Sequence, residues 1–143
     1  MRREKRIRRT VLGLLSGSLW GGLAWLIGHR AMGPPVTYGV WASPVIGALV
    51  ALAFGNWPRF SLAWRVGLAL ASLYFGAALF GLAVGAADAL RVLSGPHAMR
   101  APFAVVAQDV YGTLWGLTLL GWFVPLWPLA YLNHAVIARL TEE

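Results

Sequence analysis

The feature that most constrains this chain is a set of four long stretches that contain no charged residue. They cover residues 11–28, 31–58, 66–87 and 110–138. Each reaches or exceeds the roughly 18 apolar residues that a helix needs to cross the hydrocarbon core of a bilayer. Inside a bilayer the backbone must satisfy its own hydrogen bonds, and a continuous apolar segment does so as a helix. The sequence therefore predicts four transmembrane helices.

Clusters of glycine and proline separate these stretches and set the expected helix ends. They are Gly-Pro-Pro at 33–35, Gly-Asn-Trp-Pro at 55–58 and Ser-Gly-Pro at 94–96, all typical of turns. We expect an all-α fold, an integral membrane four-helix bundle over residues 10–138. Its helices should lie near residues 10–30, 36–55, 60–91 and 103–138, between a basic segment, 1–9, and a short tail, 139–143.

Composition agrees with lipid as the main solvent of the chain. Hydrophobic residues make up 59% and charged residues 12% of the sequence, and a soluble domain usually has about twice that share of charge. The net charge is +7, but half of the twelve basic residues lie in the first nine positions. Charge concentrated in this way fits a membrane surface better than nucleic acid. There is no cysteine, which excludes disulfides, thiolate metal sites and a cysteine nucleophile.

The distribution of Lys and Arg predicts the direction of the crossings. With the N-terminus inside, nine basic residues face the cytoplasm and three face the other side, in line with the positive-inside rule. We expect a multi-pass protein of the cell membrane with cytoplasmic N- and C-termini and an uncleaved first helix. The basic segment from Arg2 to Arg9 should contact anionic headgroups.

Small residues at four-residue spacing occur in every predicted helix. In lipid such faces let helix backbones approach closely, which drives association where hydrophobicity cannot. They predict a tightly packed bundle or faces that receive a partner protein. The candidate helix-packing residues are Gly13, Gly17, Gly21, Gly39, Ser43, Gly47, Gly81, Gly85, Gly112 and Gly116.

A weak internal repeat relates the two halves of the chain. Residues 18–24 resemble residues 72–78, and residues 38–41 resemble residues 111–115 with one insertion. The shared order predicts two helical hairpins in parallel orientation, as in many transporters. Apolar segments with few residue types also resemble one another by chance, and that explanation stays open.

Two carboxylates fall near the outer ends of predicted helices. Asp88 continues the small-residue face of the third helix, and Asp109 lies on that of the fourth. An intramembrane polar or ion site, for a cation or proton, is one interpretation. The other is structural, with Asp88 paired with Arg91 and Asp109 paired with Arg100 or Arg30. We favour the structural interpretation because both residues lie close to the headgroups.

The three histidines are the remaining candidates for ligand chemistry. His134 follows Asn133 beyond two helix-bending prolines, Pro125 and Pro128. It could ligate a haem or a chlorophyll magnesium, but a hydrogen bond near the headgroups is the commoner role. On the outside, imidazole and thioether groups suit copper(I), and common residues in short loops also explain their presence. The residues of that copper hypothesis are His29, Met32, His97 and Met99.

The function is left open between three hypotheses. The sequence has no phosphate loop, no dinucleotide-binding glycine signature and no hydrolase motif, so we expect no enzyme and no cofactor. The first hypothesis is a non-catalytic accessory subunit of a larger membrane complex. The alternative is a small homo-oligomeric transporter or channel. A membrane protein that binds a pigment, haem or copper comes third.

Overall fold

The computed structural model describes residues 2–32, 36–94, 102–121 and 125–142. These ranges contain helices and short connectors and no strand, so the expected all-α class is confirmed for them. The elements, in chain order, are α1 (Arg2–Met32), α2 (Val36–Ala53), a 3-10 turn (Trp57–Arg59), α3 (Leu62–Leu93), α4 (Pro102–Leu120) and α5 (Leu126–Glu142).

Four helical segments are long and apolar enough to cross a membrane, which confirms the expected number of spans. They are Arg3–His29, Val36–Arg59, Leu62–Leu93 and Pro102–Leu120. The outward faces carry large apolar side chains, among them Leu19 at 77% and Trp41 at 81% exposure. Such a surface suits lipid tails and is unfavourable in water. The chain is therefore a multi-pass membrane protein.

Helices α1 and α2 form the first hairpin through direct backbone contact at glycine. A Cβ added to Gly13 would lie 2.7 Å from Ala48 Cα, and one on Gly17 would lie 3.0 Å from Gly47 Cα and closer still to the Ser43 carbonyl. Carbon atoms in contact normally stay about 3.5–4.0 Å apart. The first hairpin therefore depends on the missing side chains that the four-residue spacing predicted.

Helices α3 and α4 form the second hairpin in the same way. A Cβ on Gly81 would lie 2.8 Å from Val110 Cα, and one on Gly85 would lie 2.8 Å from Val106 Cα. The two hairpins then meet where α2 packs on α3. Gly39 leaves room there for the Phe80 ring, and Val36, Phe80 and Val84 form a buried apolar cluster.

Gly112 and Gly116 differ from the glycines at the two hairpin contacts. Within the described part of the chain, nothing lies within 4 Å of a Cβ placed on either residue, and both are exposed. The four-residue spacing identifies a small face but cannot show whether a partner helix of the same chain covers it. This face of α4 is open.

The fourth predicted helix is two helices. The sequence predicts one bent helix over 103–138, but α4 ends at Leu120 and α5 begins at Leu126. Pro125 has no N–H to donate and its ring clashes with the carbonyl four residues earlier, which a continuous helix cannot accommodate. Pro128 falls in the first turn of α5, where a backbone donor is not needed. Helix α5 packs on α1 and α3 and includes residues 139–142 of the expected tail.

The basic N-terminal segment is also helical, whereas the expected first helix begins near residue 10. Arg, Lys and Glu are good helix formers. Arg8 Nη2 donates to Glu4 Oε1 over 3.3 Å, an i,i+4 pair in the favourable order. Hydropathy marks only the apolar part of a helix, so it placed the start of α1 too late.

Exchanging two glycines for alanine tests the packing of the first hairpin. We expect Gly17→Ala to lower the thermal unfolding temperature in mild detergent, with a cost of about 1–3 kcal/mol, because the new methyl group overpacks the α1–α2 contact. The matched control is Gly67→Ala, where a Cβ meets nothing within 4 Å and better helix propensity raises stability. Equal melting temperatures for the two variants would contradict this packing.

Candidate functional site

A groove of about 570 Å³ runs between the two hairpins. All five helices contribute to its lining, with Trp20 from α1, Val50 from α2, Gly76 from α3, Gly116 from α4 and Asn133 from α5. The lining is mostly apolar or glycine, and four of its polar side chains form two hydrogen-bonded pairs between helices. Concave apolar surfaces with a few placed polar groups are the usual form of a binding site. We call this cavity the groove.

The first polar pair joins α5 to α3. His134 is 5% exposed, and its Nε2 lies 2.6 Å from Ser72 Oγ. Ser72 Oγ donates its proton to the Ala69 carbonyl at 2.8 Å. A hydroxyl has one proton to donate, so with that proton on the Ala69 carbonyl the fitting tautomer carries its proton on His134 Nε2. Either ring nitrogen of a histidine can bind a metal, but Nε2 is held by Ser72 in this structure. The geometry therefore favours the hydrogen-bonding role over the haem or chlorophyll ligand.

The second polar pair joins α5 to α1. Ser16 Oγ donates to Asn133 Oδ1 at 2.8 Å, and Ser16 is 9% exposed. A serine in a membrane helix usually bonds to its own backbone one turn earlier, as Ser18 does with the Leu14 carbonyl. Two adjacent residues of α5, Asn133 and His134, therefore attach this helix to both neighbouring helices.

Trp57 is the centre of an aromatic cluster next to the polar pairs. The sequence did not predict this cluster. Trp57 is 4% exposed, stacks on His134 at 5.9 Å and meets Tyr131 edge-on at 5.0 Å between ring centroids. Its Nε1 donates to the Arg65 carbonyl at 2.9 Å. The Arg65 guanidinium lies 5.4 Å from the ring centroid and donates to the Phe60 carbonyl. The only sequence signal is a tryptophan in a short Pro-containing connector.

The two carboxylates lie at the opposite end of the bundle. Arg91 Nη1 is 4.0 Å from Asp88 Oδ1, which confirms the predicted pair. Asp109 lies in the α3–α4 seam, with its Cβ 3.3 Å from a Cβ placed on Gly85, close enough to Asp88 for their charges to repel. Its Oδ2 is buried and has no hydrogen-bond partner among the described residues. The partners predicted for Asp109 are not described by the structure. Arg100 lies outside the described residues, and the side chain of Arg30 is not described.

Of the four residues in the copper hypothesis, the structure describes the side chain of His29. His97 and Met99 lie outside the described residues, as does the side chain of Met32. His29 donates from Nδ1 to the Trp25 carbonyl at 2.9 Å and stacks on the Trp25 ring at 4.7 Å. Across the described ranges no three His, Cys, Asp or Glu side chains group as a metal site. The copper site stays a prediction.

A second cavity, of about 600 Å³, lies at the end of the bundle that carries the N-terminus. We call it the basic pocket. It is lined by Lys5, Arg6, Arg9, Leu52, Asn56 and Arg59, so the N-terminal turns of α1 and the connector after α2 both contribute to it.

Comparison with protein-family models, with curated proteins and with solved structures finds no match to this chain.

Two serines of α1 give a matched test of the attachment of α5. We expect Ser16→Ala to destabilise the protein by about 0.5–1.5 kcal/mol, because it removes an interhelical hydrogen bond and leaves Asn133 Oδ1 unsatisfied. Ser18→Ala should have almost no effect, since Ser18 bonds only within α1. Thermal unfolding in detergent measures both. Equal unfolding temperatures of the two variants would contradict the attachment.

Proposed function

We propose that this chain is a non-catalytic accessory subunit that packs against another membrane protein through the groove. The observation that carries the proposal is the open small-residue face of α4. Gly112 and Gly116 both line the groove, and neither has a neighbour within 4 Å of its Cβ position in the described structure.

A pair of helical glycines that no other helix contacts needs a physical explanation, because glycine destabilises a helix. Each glycine in a helix interior costs about 1 kcal/mol relative to alanine. Contact with flexible lipid tails does not require the missing side chain, whereas close approach of a second helix does. Gly13, Gly17, Gly81 and Gly85 meet that requirement inside the chain. Gly112 and Gly116 would meet it in a complex.

Helix α4 also lacks the burial that the other helices have. Its only buried residue is Val105, and its extensive contacts within the described structure are with α3 alone. A span held on one side by one neighbour offers the rest of its surface to lipid or to another protein. An apolar transmembrane helix of a partner subunit, docked beside Gly112 and Gly116, fits this surface best.

A leucine at the open face tests the accessory role. The full-length tagged protein is extracted in mild detergent, and co-purifying proteins are quantified by mass spectrometry. We expect stoichiometric partners with the native chain and their loss with Gly116→Leu, because the side chain separates the two backbones. Gly67→Leu is the control, since Gly67 is equally open but lies outside the groove.

Recovery of the native chain alone, as a stable and defined oligomer, would overturn the accessory role. Equal partner recovery from Gly116→Leu and Gly67→Leu would overturn the groove as the contact surface. Circular dichroism and the elution volume of each variant report whether its fold is intact.

A second candidate function, a small homo-oligomeric transporter or channel, rests on Asp109. One of its carboxylate oxygens is buried and has no hydrogen-bond partner among the described residues. Such an oxygen is costly to keep unsatisfied, and a bound cation or proton would satisfy it. Four helices enclose little space, so a pore would need several copies of the chain.

Substitution of the carboxylates tests this alternative in reconstituted vesicles. We expect Asp109→Asn to abolish flux of protons or monovalent cations, followed with entrapped fluorescent indicators. Asp88→Asn should reduce it less, because Asp88 is already paired with Arg91. Flux that is unchanged in Asp109→Asn, or absent from the native protein, would remove this candidate.

A further inference from the structure

The basic pocket brings together two parts of the chain that are far apart in sequence. Lys5, Arg6 and Arg9 come from α1, and Arg59 comes from the 3-10 turn after α2. The Arg9 guanidinium lies against Gly55, where an added Cβ would contact Nη1 and lie 2.9 Å from Cζ. Glycine at position 55 therefore leaves the space that holds Arg9 beside the connector.

Among the residues that the structure describes, no acidic group in the lining balances the charges of this pocket. The described residues of the lining supply four cationic side chains and no carboxylate. The nearest acidic residue in α1, Glu4, is paired with Arg8 at 3.3 Å, and neither lines the pocket. Arg65 is held by the carbonyls of the connector. Four like charges around one cavity repel one another, and a bound anion would relieve that repulsion.

The shape and position of the pocket indicate the kind of anion. Guanidinium groups bind phosphate oxygens with paired hydrogen bonds, and the Asn56 amide adds neutral donors. Four positive charges are neutralised further by a phosphate with two negative charges than by a phosphodiester with one. Leu52 gives the pocket an apolar side, and the pocket lies at the end of the span Val36–Arg59, where lipid headgroups are found.

The geometry points to a specific binding site for the doubly charged phosphate headgroup of a membrane lipid. The site differs from general attraction of a basic segment to anionic lipids, because it uses three of the basic residues of α1 together with Arg59 and leaves out Arg3 and Arg8. It is independent of the accessory role proposed above, since it lies outside the groove.

Thermal unfolding of the full-length protein in mixed micelles tests the site. The probes are phosphatidate, with a phosphomonoester headgroup, and phosphatidylglycerol, a phosphodiester, at matched total negative charge. We expect phosphatidate to raise the unfolding temperature at concentrations at least about fivefold lower than phosphatidylglycerol. Native mass spectrometry of the same samples should show one retained phosphatidate per chain.

Charge-matched variants separate a built site from diffuse attraction. Arg59→Gln and Arg6→Gln should each weaken phosphatidate binding about fivefold, while Arg3→Gln, which removes the same charge beside the pocket, should change it less than about twofold. Gly55→Ala changes no charge and should weaken binding as Arg9→Gln does, because its methyl group displaces the Arg9 guanidinium. Arg59 is exposed, so Arg59→Gln should keep the fold.

Three results would overturn the proposal. Equal losses for Arg3→Gln and Arg59→Gln would leave only a diffuse electrostatic effect. Equal potency of phosphatidate and phosphatidylglycerol at matched charge would remove the preference for a doubly charged headgroup. Stabilisation by millimolar inorganic phosphate, with the same dependence on Arg6 and Arg59, would assign the site to a soluble phosphate instead of a lipid.

Discussion

Close approach of helix backbones at glycine is the interaction on which the rest of this structure depends. Lipid tails solvate leucine as well as another helix does, so burial of apolar side chains gives little reason for these helices to associate. Gly13 and Gly17 contact α2, and Gly81 and Gly85 contact α4. These contacts hold the helices together through van der Waals packing. Both hairpins are built on this contact, and the groove lies between them.

Sequence reasoning could predict much of the fold because its strongest signals are local. A charge-free stretch reports a span regardless of what surrounds it, and a three-residue spacing sufficed for the Asp88–Arg91 pair. Tertiary features were less accessible. The polar pairs and the burial of Trp57 depend on where α5 lies, and the sequence cannot show that a helix broken near Pro125 returns to contact Ser16 and Ser72.

The glycine spacings also did not predict which helix faces are packed within the chain. The spacing of Gly112 and Gly116 is the same as that of Gly13 and Gly17. One pair is packed on α2, and the other has no neighbour within 4 Å among the described residues. The spacing shows that another helix could approach a face closely. Whether one does so depends on the rest of the fold. A small-residue face that is packed explains the fold, whereas one that is not packed bears on function.

The length of α1 has a mechanical consequence. Its 31 residues extend about 46 Å, well beyond a hydrocarbon core of about 30 Å, and no proline interrupts them. The basic first turns and the buried glycines of α1 thus belong to one continuous helix. A change in the tilt of α1 would therefore displace the basic first turns and the glycines packed on α2 together, because one uninterrupted helix contains both.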